Sequence, residues 1–275
     1  MKKSALVTLK AIICVVILAV SYWFMLPPVN LRSADFWSFV CYSIVVIMIV
    51  SACSDVFLAV KRAMQGKKER TSFKTRFKNF SAPIKIGVLC IGVIIALSLL
   101  ATFIGSEIFN AKAYNNLLTM TDGDFVGDVA EISREQIPVV DRDTASRLGQ
   151  RKLGEMADLV SQFEIMQDYT QINYLGKPVR VTPLAYGDVI KWLNNQKQGI
   201  PAYITVDMTT QDTALVRLEK GMRFSESEYF MRNIHRYLRF KYPTKIFDDI
   251  SFEIDESGTP YFVAPTVTYR IGLER

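Results

Sequence analysis

The sequence predicts a membrane-anchored α+β protein, with three transmembrane helices followed by a mixed helix and antiparallel-strand extracytoplasmic domain. Three observations predict it. Three long apolar runs fall within the first 104 residues of a 275-residue chain. The charge is divided, with 13 Lys+Arg against 3 Asp+Glu in residues 1–104 and 20 against 24 in residues 105–275, so the net +6 conceals +10 followed by −4. Past residue 104, strand-like runs in antiparallel-looking pairs are separated by helical ones, the pattern of an α+β domain. An ordinary cytosolic enzyme is excluded. The basic pI belongs to the first third, so it is no argument for a nucleic-acid partner.

The first run, about residues 9–26, follows Lys2, Lys3 and Lys10 and stops at Pro27 and Pro28. A basic start, an apolar centre and Ala19-Val20-Ser21 also describe a cleavable signal peptide. Tyr22-Trp23-Phe24-Met25-Leu26 carries the apolar stretch past that site and suits a membrane–water interface, which favours an uncleaved anchor. The second run covers about 36–60 and the third about 86–104, whose 19 residues make a helix of about 28 Å, near the hydrocarbon thickness. Between them the loop 61–85 holds nine basic residues and one acid, Glu69, whereas the connection after the first run has only Arg32 and Asp35. The positive-inside rule then puts the N-terminus and the basic loop in the cytoplasm and everything after Ile104 outside. Membrane lipids are the partners this predicts: the loop alternates Phe73, Phe77 and Phe80 with its charges, as a segment lying on anionic headgroups does.

Asp55 is the one acid inside an apolar run. Such a residue marks an ion or proton relay when it lies at mid-membrane. The simpler reading ends the span at Ser54, with Asp55 at the inner interface near Lys61 and Arg62. Gly92 and Ala96 make a small-xxx-small pair that suits helix packing.

Residues 105–120 read as a helical neck and 121–275 as the extracytoplasmic domain. Asp143 is expected to cap a helix running to about Val160. Strands are expected at Phe163–Ile165 and Tyr169–Tyr174, a turn at Leu175-Gly176-Lys177-Pro178, and a strand from Val179. A short helix Tyr186–Asn195, strands at Ala202–Val206 and Ala214–Leu218, a helix over Ser225–Lys241, and a hairpin of Ile250–Ile254 with Tyr261–Thr268 complete the order.

Catalytic motifs are sparse. All four cysteines (Cys14, Cys41, Cys53, Cys90) lie in apolar runs and His235 is the only histidine, which removes disulfides, thiolate zinc sites and cysteine nucleophiles from the domain. Asp122, Asp124 and Gly127 match positions 1, 3 and 6 of a calcium loop, but Val126 and Ser133 stand where oxygen ligands and a bidentate Glu are needed. Asp248, Asp249, Glu253, Asp255 and Glu256 are numerous enough for a carboxylate pair, yet turns carry solvated acids anyway. No catalytic residue, metal or cofactor is therefore assigned. The one patterned charge feature is Arg232, Arg236 and Arg239, at i, i+4 and i+7 of the expected last helix. Such a stripe can grip phosphates or carboxylates; the simpler reading is a solvated face, or arginines paired with the nearby acids.

Gly199-Ile200-Pro201-Ala202-Tyr203-Ile204-Thr205-Val206-Asp207, the run from Tyr229-Phe230 through Arg236-Tyr237-Leu238-Arg239-Phe240 to Tyr242-Pro243-Thr244, and Phe252-Glu253-Ile254-Asp255 with Gly258-Thr259-Pro260-Tyr261 together resemble a family of bacterial polytopic membrane proteins. Its longer members continue into a PepSY-like extracytoplasmic region. The resemblance covers about residues 84–270 and brings no catalytic residues with it. Against that pattern the chain ends at Arg275, straight after a strand-like run, which leaves a fragment without its partner strands as one reading. The expected function is a non-enzymatic envelope protein of the plasma membrane, displaying a module that binds an envelope protein or an anionic wall polymer, or regulates a neighbour. A carboxylate-dependent envelope hydrolase and a transporter subunit are the alternatives.

Overall fold

The computed structural model describes residues 3–64, 82–116, 121–128, 133 and 136–269, so the basic loop lies largely outside the described residues. The chain divides into two compact units, residues 1–118 with 242–246 and 267–275, and residues 119–241 with 247–266.

The first unit is built from helices α1 (Lys3–Met25), α2 (Ala34–Met64) and α3 (Ala82–Gly105), followed by α4 (Glu107–Asn115). Segments Val7–Met25, Ala34–Cys53 and Ala82–Gly105 are long and apolar enough to cross a membrane. Prolines 27 and 28 end α1, since neither can donate a helical N–H. Helix α1 meets α2 through Ser21 Oγ and Tyr42 Oη, 2.8 Å apart, and through the edge-to-face rings of Tyr22 and Phe39. The α2–α3 contact is not at Gly92, where a side chain would meet open space, but at buried Gly87, where a Cβ would collide with Met48. A glycine lets helices approach only where the partner lies, and α2 lies on the Gly87 face. In the connection after α1, Trp37 Nε1 donates to Leu31 O at 2.9 Å. Residues 242–246 complete this unit: Val29 N donates to Pro243 O at 2.7 Å and Asn30 Nδ2 to Thr244 O at 2.9 Å.

The second unit is an antiparallel sheet covered on both faces. After the one-turn helix α5 (Phe125–Asp128), helix α6 spans Arg142–Gly154 and α7 spans Ala157–Val160. The N-cap of α6 is Asp141, two residues before the expected Asp143, with Thr144 N donating to its carboxylate at 2.8 Å. The expected single helix breaks at Glu155-Met156. Strands β1 (Phe163–Ile165) and β2 (Thr170–Tyr174) pair in tandem along one edge of β3 (Lys177–Tyr186). Along its other edge runs β4 (Ile200–Asp207), and then β5 (Thr213–Met222). Helix α8 (Val189–Asn195) bridges β3 and β4. The β2–β3 turn places Leu175 (φ 51) and Gly176 (φ 78) both left-handed, as a two-residue hairpin with right-handed strand twist demands.

Strand alternation sorts the core into two layers. Leu184, Tyr186, Ala202, Ile204 and Val206 pack with Ala145 and Leu153 of α6. Val179, Val181 and Tyr203 point to the other face, where Phe252 and Ile254 of a hairpin, β6 (Ser251–Ile254) with β7 (Pro260–Val263), close over them. Strand β7 is shorter than expected, ending at Val263 with a separate two-residue strand at Thr266–Val267. At the start of β4 the register with β5 shifts between Ile200 and Ala202; Gly199 (φ 79) there leaves room for the Met222 carbonyl, against which any Cβ would clash.

Candidate functional site

The three arginines of the expected stripe do not share a helix. Helix α9 covers only Ile234–Lys241, and Arg232 lies in a 3-10 turn over Phe230–Arg232. Upstream the chain doubles back. Ser225 bridges to Asn233, Ile234 N donates to Ser225 O at 3.0 Å, and Asn233 Nδ2 donates to Glu226 O at 2.8 Å. Arg232 donates through Nη1 to the Gln196 carbonyl and lies 3.8 Å from Glu228 Oε1. Arg239 is buried, its guanidinium 5.9 Å above the Phe247 ring. Arg236 remains on α9, its N–H directed at Asn233 Oδ1. His235 is half exposed, 3.6 Å from Glu226 Oε1. The two outer arginines thus make internal contacts, in the packing of this segment.

The residue that organises the segment is Glu228, which sequence reasoning missed. Its side chain is sealed from solvent, yet its carboxylate accepts from Tyr186 Oη at 3.0 Å and from Trp192 Nε1 at 2.7 Å. Both donors are positioned by regular structure: Tyr186 ends β3, and Trp192 sits on α8, whose N-cap Asp188 accepts from Lys191 N at 2.8 Å. Burial, and then the Glu228 carboxylate, push the Tyr186 phenol well above its usual pKa. Two neutral donors and a neighbouring guanidinium satisfy a charge that would otherwise not tolerate burial. In the sequence Glu228 reads as one more acid among serines; only its aromatic neighbours Tyr229 and Phe230 hint at an interior position.

Three of the clustered acids line an open groove of about 510 Å³ between β2 and the β6–β7 hairpin: Glu253, Asp255 and Glu256, with Asn173, Tyr174 and Tyr261. Asp255 is engaged by its own turn, accepting from Ser257 N, Ser257 Oγ and Thr259 N at 2.9, 2.6 and 2.9 Å. The Ser257 hydrogen bond, and then that from Thr259, hold its carboxyl below the usual range, so it is unsuited to act as a general acid. Glu253 accepts from Ser251 Oγ at 2.9 Å.

Across the calcium-like stretch, Asp124 N donates to Asp128 Oδ2 at 2.8 Å as α5 begins. Among the described residues, no group of three His, Cys, Asp or Glu side chains converges as a metal site would require. The backbone of α2 continues through Asp55, two residues past the apolar segment that ends at Cys53; the Asp55 side chain lies outside the described residues.

Set against protein-family models, curated proteins and solved structures, the chain returns no match.

Proposed function

We propose that the chain is a non-enzymatic protein of the plasma membrane that displays its α+β module outside the cell as a binding or regulatory unit. One observation carries this reading. Three helices able to cross a bilayer are followed by a folded module, and nine basic residues are gathered in the single loop 61–85. Positive charge is retained on the cytoplasmic side, so the loop lies inside and the module outside. Support for binding rather than catalysis comes from the fate of the polar groups. Glu228, Arg232 and Arg239 serve the module's interior, and Asp255 closes a turn. The resemblance to polytopic membrane proteins with a PepSY-like region belongs to the same reading and rests on the residue runs quoted above. An envelope protein, a wall polymer or the lipid surface is the partner class.

The test uses intact cells whose wall barrier has been opened. In a variant with Cys14, Cys41, Cys53 and Cys90 replaced by serine, Asp212→Cys is expected to react with a membrane-impermeant thiol reagent, and Gly66→Cys only after lysis. Equal protection of the two positions overturns the topology.

A further inference from the structure

We propose that α4 is an interfacial helix, held at the end of α3 so that Ile108 and Phe109 enter the apolar edge of a phospholipid bilayer. The proposal rests on the membrane-spanning reading of α3 above and deepens it.

A neck that simply continued α3 would carry residues 107–115 straight out of the bilayer. The chain turns instead. Ser106 is extended (φ −61, ψ 155), so α3 ends at Gly105 and α4 starts in a new direction. Asn110 (φ −119, ψ 21) bends α4 a second time. In an unbroken helix Tyr114 would stand about 13 Å along the axis from Gly105, far beyond the reach of its side chain. Its hydroxyl donates to the Gly105 carbonyl at 3.3 Å, so α4 curls back toward the end of α3.

Continuity with the span selects lipid as the occupant. Phe103 lies in the last turn of the apolar segment Ala82–Gly105 and is 60% exposed, so lipid is its neighbour once α3 spans. The Phe109 ring meets it edge to face, centroids 4.9 Å apart, and is itself 59% exposed. Whatever phase bathes the first ring bathes the second. Ile108 beside it is 83% exposed, a large apolar side chain whose exposure to water is unfavourable and is relieved in an apolar phase.

The last carbonyls of α3 point the same way. A helix leaves its final four C=O groups without helical donors, and in water the solvent takes them. Here three in succession are taken by side chains: Ser106 Oγ donates to Phe103 O at 2.8 Å, Asn110 Nδ2 to Ile104 O at 2.7 Å, and Tyr114 Oη to Gly105 O. A helix end in a water-poor layer requires such internal partners. Charge plays little part. Between Lys85 and Lys112 the only charged residue is Glu107, which Lys112 balances, so the contact is apolar and indifferent to headgroup charge.

The experiment uses the full chain, its four cysteines replaced by serine, in phosphatidylcholine nanodiscs that carry a nitroxide either near the headgroup or at the acyl-chain end. A fluorophore is attached at Ile108→Cys, at Ile95→Cys within the span, or at Asp212→Cys in the module. The label at 108 is expected to be quenched by the shallow nitroxide at least about twofold more than by the deep one, and that at 95 in the reverse order. The label at 212 should respond about twofold less than that at 108 to the shallow nitroxide. Adding Phe109→Ser beside the 108 label is expected to lower its shallow quenching. A label at 95 that is quenched while that at 108 matches 212 overturns the interfacial helix and leaves the span standing. Absence of quenching at 95 overturns both. An unquenched 108 position that forms 108–108 disulfide dimers also overturns the proposal and assigns the face to a second copy.

Discussion

Trp192 Nε1 and Glu228 Oε2 lie 2.7 Å apart across 36 residues of sequence, and this bond fixes the segment leading into α9 against α8. Replacing Glu228 by alanine leaves the Trp192 and Tyr186 donors buried without an acceptor. The loss is expected to be about 3 kcal/mol, with Glu228→Gln losing roughly half as much because one acceptor oxygen survives. Thermal unfolding of the detergent-solubilised chain checks the order wild type, Gln, Ala.

Gly149 and Tyr169 form a second coupled pair. The Tyr169 hydroxyl is buried, finds no hydrogen-bond partner among the described residues, and occupies the space a Cβ at position 149 would need. Tyr169→Phe removes an orphan donor and is expected to leave stability unchanged or raise it by about 1 kcal/mol. Gly149→Ala is expected to cost about 1–3 kcal/mol by overpacking. In the double variant much of that cost should disappear, a coupling that a thermodynamic cycle measures directly. Additive effects would mean that the hydroxyl is not what requires glycine.

The pH dependence has two limbs with opposite causes. Asp141 and Asp188 are held below the usual carboxylate range mainly by hydrogen bonds from Thr144 and Lys191 at their helix N-termini. A depressed folded pKa contributes stability that is present above the unfolded value, about 3.9, and is lost as pH falls through the folded one. The melting temperature should therefore decline below about pH 4, less steeply in Asp141→Asn. Tyr169 and Tyr186 are pushed up, by burial alone in Tyr169 and by burial and then Glu228 in Tyr186. Their contribution is complete below about pH 10 and lost above it, and Tyr169→Phe should flatten the alkaline limb.

Arg239→Gln is expected to lower stability by about 1–2 kcal/mol, since the buried guanidinium gives up its position over Phe247. Arg232→Gln should also lower it, through Gln196 and Glu228. An unchanged melting temperature with lost liposome binding would instead assign these arginines to recognition.

Much of this architecture is legible from local sequence. Long apolar runs announce α1, α2 and α3. Leu175-Gly176 announces a hairpin because two consecutive left-handed residues need a glycine at least once. Turn chemistry at Glu256-Ser257-Gly258 announces β6 and β7. What local sequence hides is long-range. Residues 225–241 have the periodicity of one helix, yet only Ile234–Lys241 is α-helical. Tyr186 and Trp192, 42 and 36 positions earlier, hold the Glu228 carboxylate inside, where the first half of the expected helix is a turn rather than a helix. The arginine stripe fails for the same reason. Its spacing is genuine, but spacing defines a face only where a helix exists. The glycine at the α2–α3 contact shows a parallel limit: Gly87 and Gly92 look alike in sequence, and only the position of Met48 distinguishes them.

The bond from Asn30 to Thr244 carries a consequence for the order of synthesis. The two residues are 214 positions apart, yet both belong to the unit that contains the apolar helices. At 5–20 residues per second, the α1–α2 connection waits roughly 10–40 s for its partner. The first helices emerge early, but their unit is finished only when the ribosome has passed the whole α+β module. A polypeptide arrested before Pro243 would have its hydrophobic helices and not their closure, so quality control that senses the Pro27–Ser33 connection would read out completion of a domain encoded far downstream.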